Sequence, residues 1–412
     1  MNINSQDEIT RRNKKNVLYD AIGVSIASVA APFLPVFLTR LGASNFQVGL
    51  LSSMPVVTGF FLAIILGRFL QTRKNIIPWY SVTRLLVISC YTLTGMSIIF
   101  LPGKYSIIAT LIIWAAATIP STALGVLFSV VMNHVAGPDG RYALLSRRWA
   151  IFGLTGVIFT FFVTRMIDLI KFPNNYAVMF IILSFGGLLS YYFSNRIVLP
   201  DQKNNRQIDD TKPINSIQNY IGLLKKTPAF TSFSIKSFVY ISAVTLAAPI
   251  MPLYFVHNLK ATDSEIGMIT MIMTSGLLVG YFFWPWISKK QGGRFILLTT
   301  AAGMVLYPAL TANTQQVKWI YLFSGVAGIF QAGLDLVFFD ELMKTVPPEF
   351  SATFVSISQS LTYFATITEP ILGTFLADKI GLGGALLFSA GLRLIGFLLF
   401  LLPDKIKLRP PG

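Results

Sequence analysis

The chain has 412 residues, 54% of them apolar and 12% charged, with a mean hydropathy of +0.65 and a formal net charge of +16. That balance excludes an ordinary soluble globular domain and reads as an integral membrane protein. The basic excess alone would suit a nucleic-acid partner, but no long basic run interleaved with aromatics supports one.

A bilayer core of about 30 Å needs about 20 apolar residues per helix, and twelve such windows are bounded by charges, prolines or turn residues. They run at 17–38, 46–67, 78–101, 105–132, 149–167, 176–196, 229–256, 264–288, 294–311, 317–342, 350–377 and 383–402. The expected fold class is therefore all-α, with twelve transmembrane helices. The first run is full-length, carries Asp20 and follows a polar, basic segment, so it is expected to stay as helix 1 rather than be cleaved as a signal peptide. Placing both termini in the cytoplasm puts 23 Lys/Arg in inner segments against 7 in outer loops, an orientation that obeys the positive-inside rule in a cell (plasma) membrane.

Helix 1 ends in APFLPVFLTRLGASNFQVG, Ala31 to Gly49, which places Pro32 and Pro35 inside an apolar run. The pattern returns as APIMPLYFVHNLKATDSEIG, Ala248 to Gly267, with Pro249 and Pro252. Allowing one inserted residue, Ala43 pairs with Ala261, Val48 with Ile266 and Gly49 with Gly267, and the match continues through the polar loop where apolar bias cannot produce it. A second echo relates Asp139 and Asp168 to Glu349 and Asp378, at an offset of 210. The polar connection from Arg196 to Pro228 separates the halves, giving six-helix bundles at 1–196 and 229–412 around a cytoplasmic loop at 197–228. Parallel repeats of this kind belong to transporters whose halves rock about a central site. The four prolines are candidate outer-gate bends, or fixed bends that only shape packing.

Cys90 is the only cysteine, so no disulfide forms within the chain; with His134 and His257 as the only histidines, no metal site is expected. No cofactor is expected either, and no G-x-x-x-x-G-K-[ST] loop offers ATP drive. Six ionisable residues fall inside the predicted helices: Asp20, Arg84, Lys236, Asp335, Glu369 and Arg393. At about 3 kcal/mol each, all six facing lipid would cost on the order of 18 kcal/mol, more than a protein's usual net stability, so most face protein or water.

The loop after helix 2, GRFLQTRKN (Gly67 to Asn75), keeps a first glycine and a basic character, and the corresponding loop PWISKKQGGR (Pro285 to Arg294) keeps Lys290, Gly292 and Arg294. On these loops, the repeat and the span count, the chain resembles the major facilitator superfamily over nearly its whole length. The family's loop usually holds an aspartate four residues after its first glycine; here Gln71 and Lys289 stand at the acidic positions, so the family's acidic inner gate does not carry over. The segment GPDGRYALLSRRWAIFG, Gly137 to Gly153, resembles a poorly characterised bacterial branch with an arginine-rich turn before helix 5. Arg73, Arg141, Arg147, Arg148, Lys290 and Arg294 are the cytoplasmic-gate candidates, whose alternatives are anion contact and plain topology charge.

The resemblance implies that helices 1, 4, 7 and 10 line the cavity. Asp20, Lys236 and Asp335 lie on such helices and can pair across the halves, either as a static ion pair or as a proton-coupled switch. Glu369, directly before Pro370, stands where relatives often have glycine, and it joins Asp20 and Asp335 as a proton-coupling candidate. Lys236, Asn133, Gln331, Tyr240 and Tyr254 are the substrate-cavity candidates, while Arg84 and Arg393 on peripheral helices suit structural pairing. Trp284 and Trp286 read as interface anchors. No Gly-Pro pair occurs in FGLTGVIFTFF, Phe152 to Phe162, which weakens a drug/proton antiporter reading without excluding export.

The expected function is a monomeric secondary transporter, proton-coupled, moving a small organic and amphiphilic solute by alternating access. The partners expected are lipid, the small-molecule substrate and protons, with no nucleic acid. The alternative is a membrane assembly factor, or a lipid or pigment carrier, that uses the same fold without transport. No clustered catalytic groups favour an enzyme.

Overall fold

A computed structural model describes residues 3–54, 56–57, 75–199, 227–345 and 351–402, and among these no strand occurs. In chain order the helices are α1 (Ile3–Ser28), α2 (Phe33–Arg40), α3 (Ile77–Phe100), α4 (Gly103–Met166), α5 (Asn174–Ser184), α6 (Gly186–Ser194), α7 (Pro228–His257), α8 (Asp263–Ala312), α9 (Val317–Thr345) and α10 (Ser351–Leu401). A further helical stretch covers 45–54. Nine segments among the described residues are long and apolar enough to cross a membrane, which makes this a multi-pass membrane protein.

Two of the nine, Asp263–Ala312 with 50 residues and Ile357–Leu401 with 45, exceed a single crossing. At about 1.5 Å per residue each is more than twice as long as the hydrocarbon is thick. Each is broken by a glycine in a conformation closed to other residues, Gly292 (φ 78°, ψ 166°) and Gly381 (φ 77°, ψ 162°). These breaks fall between the spans predicted at 264–288 and 294–311, and at 350–377 and 383–402. Most of the central loop, Glu349 and half of the predicted span 46–67 lie outside the described residues.

The connection between the predicted spans 105–132 and 149–167 differs from expectation. Its backbone is helical, so Gly103–Ala136 and Arg147–Met166 are two candidate spans within α4. The run Ala143-Leu144-Leu145, leading into two arginines, consists of strong helix formers that carry the helix backwards into the turn.

α1 and α2 are separated by a turn at 29–32, so Pro32 ends up as the N-cap of α2 and Pro35 in its first turn, where proline is tolerated. α7 runs through Pro249 and Pro252 as one helix. The same sequence feature thus breaks one helix and is absorbed by the other.

Beyond the prolines the repeat becomes local structure. The Ser44 hydroxyl accepts from the Gln47 N–H at 3.3 Å, while the Gln47 side chain accepts from the Ser44 N–H at 2.9 Å. The equivalent Thr262 and Glu265 make the same reciprocal box, at 3.2 and 2.8 Å. Just before each box the chain turns through a left-handed residue, Gly42 (φ 85°) in the first half and Lys260 (φ 49°) in the second. One hydrophobic core gathers residues of both halves at this end, with Phe33, Phe37, Tyr176 and Phe180 beside Leu246, Ile250 and Leu253.

A non-glycine residue in the left-handed region costs about 1 kcal/mol. Lys260→Gly is therefore expected to raise the thermal unfolding temperature in detergent, and Gly42→Lys to lower it. A Lys260→Gly variant no more stable than the parent, or a Gly42→Lys variant no less stable, would mean that the two turns are not equivalent.

Candidate functional site

In the first half, four helices converge on one carboxylate. Asp20 of α1 is wholly buried and lies 3.5 Å from Arg84 Nε of α3 and 3.5 Å from Arg148 Nη2 of α4, whose side chains are 3% and 4% exposed. Ser190 of α6 donates to Asp20 Oδ1 at 2.6 Å, and Tyr80 donates to Oδ2 at 3.5 Å. Arg84 also donates to the Tyr80 hydroxyl, and Arg148 lies 4.7 Å over the Phe128 ring. Glycines make this convergence possible: a Cβ on Gly23, one turn beyond Asp20, would sit 2.5 Å from both Gly186 O and Ser190 N. With no side chain there, α6 comes close enough for Ser190 to reach the carboxylate.

The expectation that Asp20 pairs with the second half is replaced by this arrangement, because both cations it meets belong to the first half. Arg84 is structurally paired, as expected. Arg148 is buried against the carboxylate rather than standing at an inner mouth, while its neighbour Arg147 is exposed. Arg73 and the side chains of Arg141 and Asn133 lie outside the described residues.

In the second half, Asp335 of α9 accepts from Gln331 Nε2 at 2.6 Å and from the Tyr281 hydroxyl of α8 at 3.2 Å. It lines a cavity of about 340 Å³ between α7, α9 and α10, together with two of the substrate candidates, Tyr240 and Gln331. Tyr281 and Ser237 carry no motif, and sequence reasoning passed over both. Lys236 Nζ donates to Leu402 O at 3.1 Å, and Tyr254 donates to Ala312 O and Thr314 O at the opposite end of α7. The five candidates therefore do not form one site. Glu369 is half-buried on α10, with Ser242 of α7 beside it but too loosely placed for a normal hydrogen bond.

Trp284 is buried and donates to Ile329 O at 2.7 Å, so it is a packing residue rather than an interface anchor; Trp286 is exposed, with Lys290 Nζ 4.0 Å over its ring. Lys290 and Arg294 are both exposed. Acidic groups do approach this turn, from α9. A Cβ on Gly293 would lie 2.7 Å from Glu341 Oε1, and Lys344 bridges Asp340 and Glu341 at 2.7 Å each. Burial works against the Lys344 ammonium, but hydrogen bonds from the two carboxylates outweigh it and lift its pKa above the usual lysine value.

At the opposite end the halves touch through related contacts. A Cβ on Gly49 would meet Thr374 Oγ1 at 2.8 Å and Pro370 O at 3.0 Å; one on Gly267 would overlap Thr164 Cγ2. Gly49 and Gly267 are the equivalent glycines of the repeat, and Thr164 and Thr374 are separated by the same 210 residues that relate Asp168 to Asp378. Two polar links reinforce them. Arg40 Nε pairs with Asp263 Oδ1 at 2.7 Å and its other arm donates to Ala261 O, while Asn45 Nδ2 donates to Asp378 Oδ1 at 2.6 Å. Phe33, directly after Pro32, packs within 3.2 Å of the same Gly267 position.

Residues 233–411 match the family model described as Major Facilitator Superfamily. Over 391 residues the chain is 23% identical to the multi-drug resistance efflux pump PmrA homolog of Lactococcus lactis subsp. lactis, covering 90% of this chain and 91% of that protein. It is 26% identical over 175 residues to multidrug resistance protein MdtG of Serratia proteamaculans, covering 41% and 42%. Among solved structures it is similar to the nucleoside transporter NupG, at TM-score 0.68 and 13% identity over 95% of this chain and 99% of the other. It is also similar to a bacterial homologue of the human lysosomal transporter Spinster in an inward-facing, unoccupied conformation, at TM-score 0.67 and 12% identity over 97% of each chain.

Removing one partner from a buried ion pair costs about 3–5 kcal/mol, because the remaining charge has no water to return to. Asp20→Asn leaves two buried guanidiniums facing a neutral amide, so denaturant or thermal unfolding in detergent is expected to show a loss of about 3 kcal/mol or more. A loss below about 1 kcal/mol would contradict this packing.

Proposed function

Starting from a second half that matches the Major Facilitator Superfamily model and a whole chain similar in fold to solved transporters, we propose that the protein is a secondary active transporter. It moves a small organic, amphiphilic solute by alternating access in the plasma membrane. In this reading twelve spans form two six-helix bundles, 1–196 and 229–412, with both termini cytoplasmic, and protons supply the drive. The observation that carries the reading is the asymmetry between the two ends. The paired contacts Gly49–Thr374 and Gly267–Thr164 close one mouth with two equivalent seams. The Asp335 cavity lies toward the other end, where α7 begins and α9 finishes.

Seams built from glycine against threonine suit a gate. They let helix backbones meet closely, and in this reading they part together with the apolar packing of Phe33 and Ile250 around them, a cost that the bound solute or proton must offset. Arg40–Asp263 and Asn45–Asp378 sit at the rim, where water can take over both partners on opening. Asp335 and Glu369 remain the proton-carrier candidates best suited to exchange, since neither is ion-paired among the described residues. Asp20, held between two arginines, serves better as the anchor of its bundle. In this reading Pro32 and Pro35 at the start of α2, and Pro249 and Pro252 within the continuous α7, serve as flexing points beside the seams. The relatives named as efflux pumps support a transporting role over the assembly-factor alternative.

The test places a cysteine at Gln359, which lines the cavity and is exposed, in a Cys90→Ser background. A membrane-impermeant maleimide is expected to label it in reconstituted vesicles from the cytoplasmic side and only weakly from the outside. Gly49→Val or Gly267→Val should wedge its seam apart and raise outside labelling about tenfold. Labelling from outside that neither wedge changes would contradict the gate.

A further inference from the structure

The Asp335 cavity holds an uncompensated charge. Among the side chains that line it Asp335 is the only Asp, Glu, Lys, Arg or His, and its two hydrogen-bond donors, Gln331 and Tyr281, are both neutral. A carboxylate inside a membrane span normally finds a cation, as Asp20 does twice over. Asp335 is in no ion pair among the described residues. Beside it, one helical turn on, the wall is aromatic: Phe338 lies 6.2 Å from Phe233 and 5.8 Å from Tyr240, centroid to centroid. Ring faces attract cations and offer nothing to anions. The cavity also receives Ser237, whose hydroxyl is buried with no partner, at 6% exposure. A buried hydroxyl left in that condition is destabilising, and a ligand donor or acceptor would recover the lost hydrogen bond.

We propose that this cavity is the binding site for a small organic monocation, an ammonium carried on an aromatic or apolar body. The ammonium seats between the Asp335 carboxylate and the Ser237 hydroxyl, and the body lies along Phe233, Tyr240 and Phe338. A volume of about 340 Å³ is near the lower limit for ligand pockets and favours a single-ring compound over a large one. Gln331 keeps the carboxylate turned into the cavity from one helical turn away, so it acts as a positioning residue. The inference rests on the transporter reading for its purpose, but not for its chemistry.

Three compounds of nearly one shape test it on the full chain in detergent by isothermal titration: phenethylamine, which is cationic, 2-phenylethanol, which is neutral, and phenylacetate, which is anionic. Phenethylamine is expected to bind at least about tenfold more tightly than 2-phenylethanol, and phenylacetate not measurably. Asp335→Asn should abolish the preference for the cation, and Ser237→Ala should weaken phenethylamine several-fold. The comparison on the unmodified chain stands even where a variant fails to fold. Equal binding of cation and alcohol, preference for phenylacetate, or no binding of phenethylamine up to millimolar concentration would each overturn the site. Phenethylamine uptake into vesicles separates this inference from the reading beneath it. Binding without transport leaves the site and removes the transporter, whereas transport without charge preference does the reverse.

Discussion

A charge inside hydrocarbon must find its counter-charge, its hydrogen bonds or water within the protein, and the architecture follows from how each half meets that demand. The first half meets it at Asp20 with counter-charges. Asp20 is enclosed by Arg84, Arg148, Tyr80 and Ser190, so that α1, α3, α4 and α6 share one buried electrostatic knot. The Gly23–Gly186 approach exists so that the knot can be tied. The second half leaves one carboxylate open to a cavity and places its buried Arg393 on a backbone carbonyl, Met304 O, at 2.9 Å. Duplicated folds with unequal electrostatics divide naturally into a half that holds its shape and a half that responds.

The surfaces between the halves obey a different rule. Near one end the helix backbones meet closely at Gly49 and Gly267, beside a hydrophobic core that both halves share and with the polar links Arg40–Asp263 and Asn45–Asp378 alongside. In the proposed transport cycle these contacts part together, and the shared core, at roughly 25 cal/mol for every Å² buried, is what a bound solute or a proton must offset.

Much of this was legible in the sequence. Hydropathy located the spans, and the breaks at Gly292 and Gly381 fall between them. The AP…P repeat led to Gly49 and Gly267, both of which are close approaches between the halves. The capping boxes Ser44/Gln47 and Thr262/Glu265 were present as S-x-x-Q and T-x-x-E in that same stretch, as was the 210-residue offset that also relates Thr164 to Thr374. What could not be read was convergence. Asp20, Arg84, Arg148 and Ser190 are scattered over 170 residues, and no periodicity in one sequence says that three helices turn the same charge face toward a fourth. Lys236 and Asp335 suggested an ion pair with Asp20 because helix position is legible and helix rotation is not. The Trp284–Trp286 pair shows the same limit, one ring buried and the other exposed within a single helical turn.

The central claim is that the end carrying the glycine seams opens and closes while the Asp20 knot stays intact. Spin labels at Phe46 and Lys379, exposed residues beside the Asn45–Asp378 link, report on that motion directly in the Cys90→Ser background. The account predicts two distance populations in nanodiscs, a short one matching the closed seams and a longer one whose share changes with pH or with phenethylamine. A single short distance under every condition would contradict it.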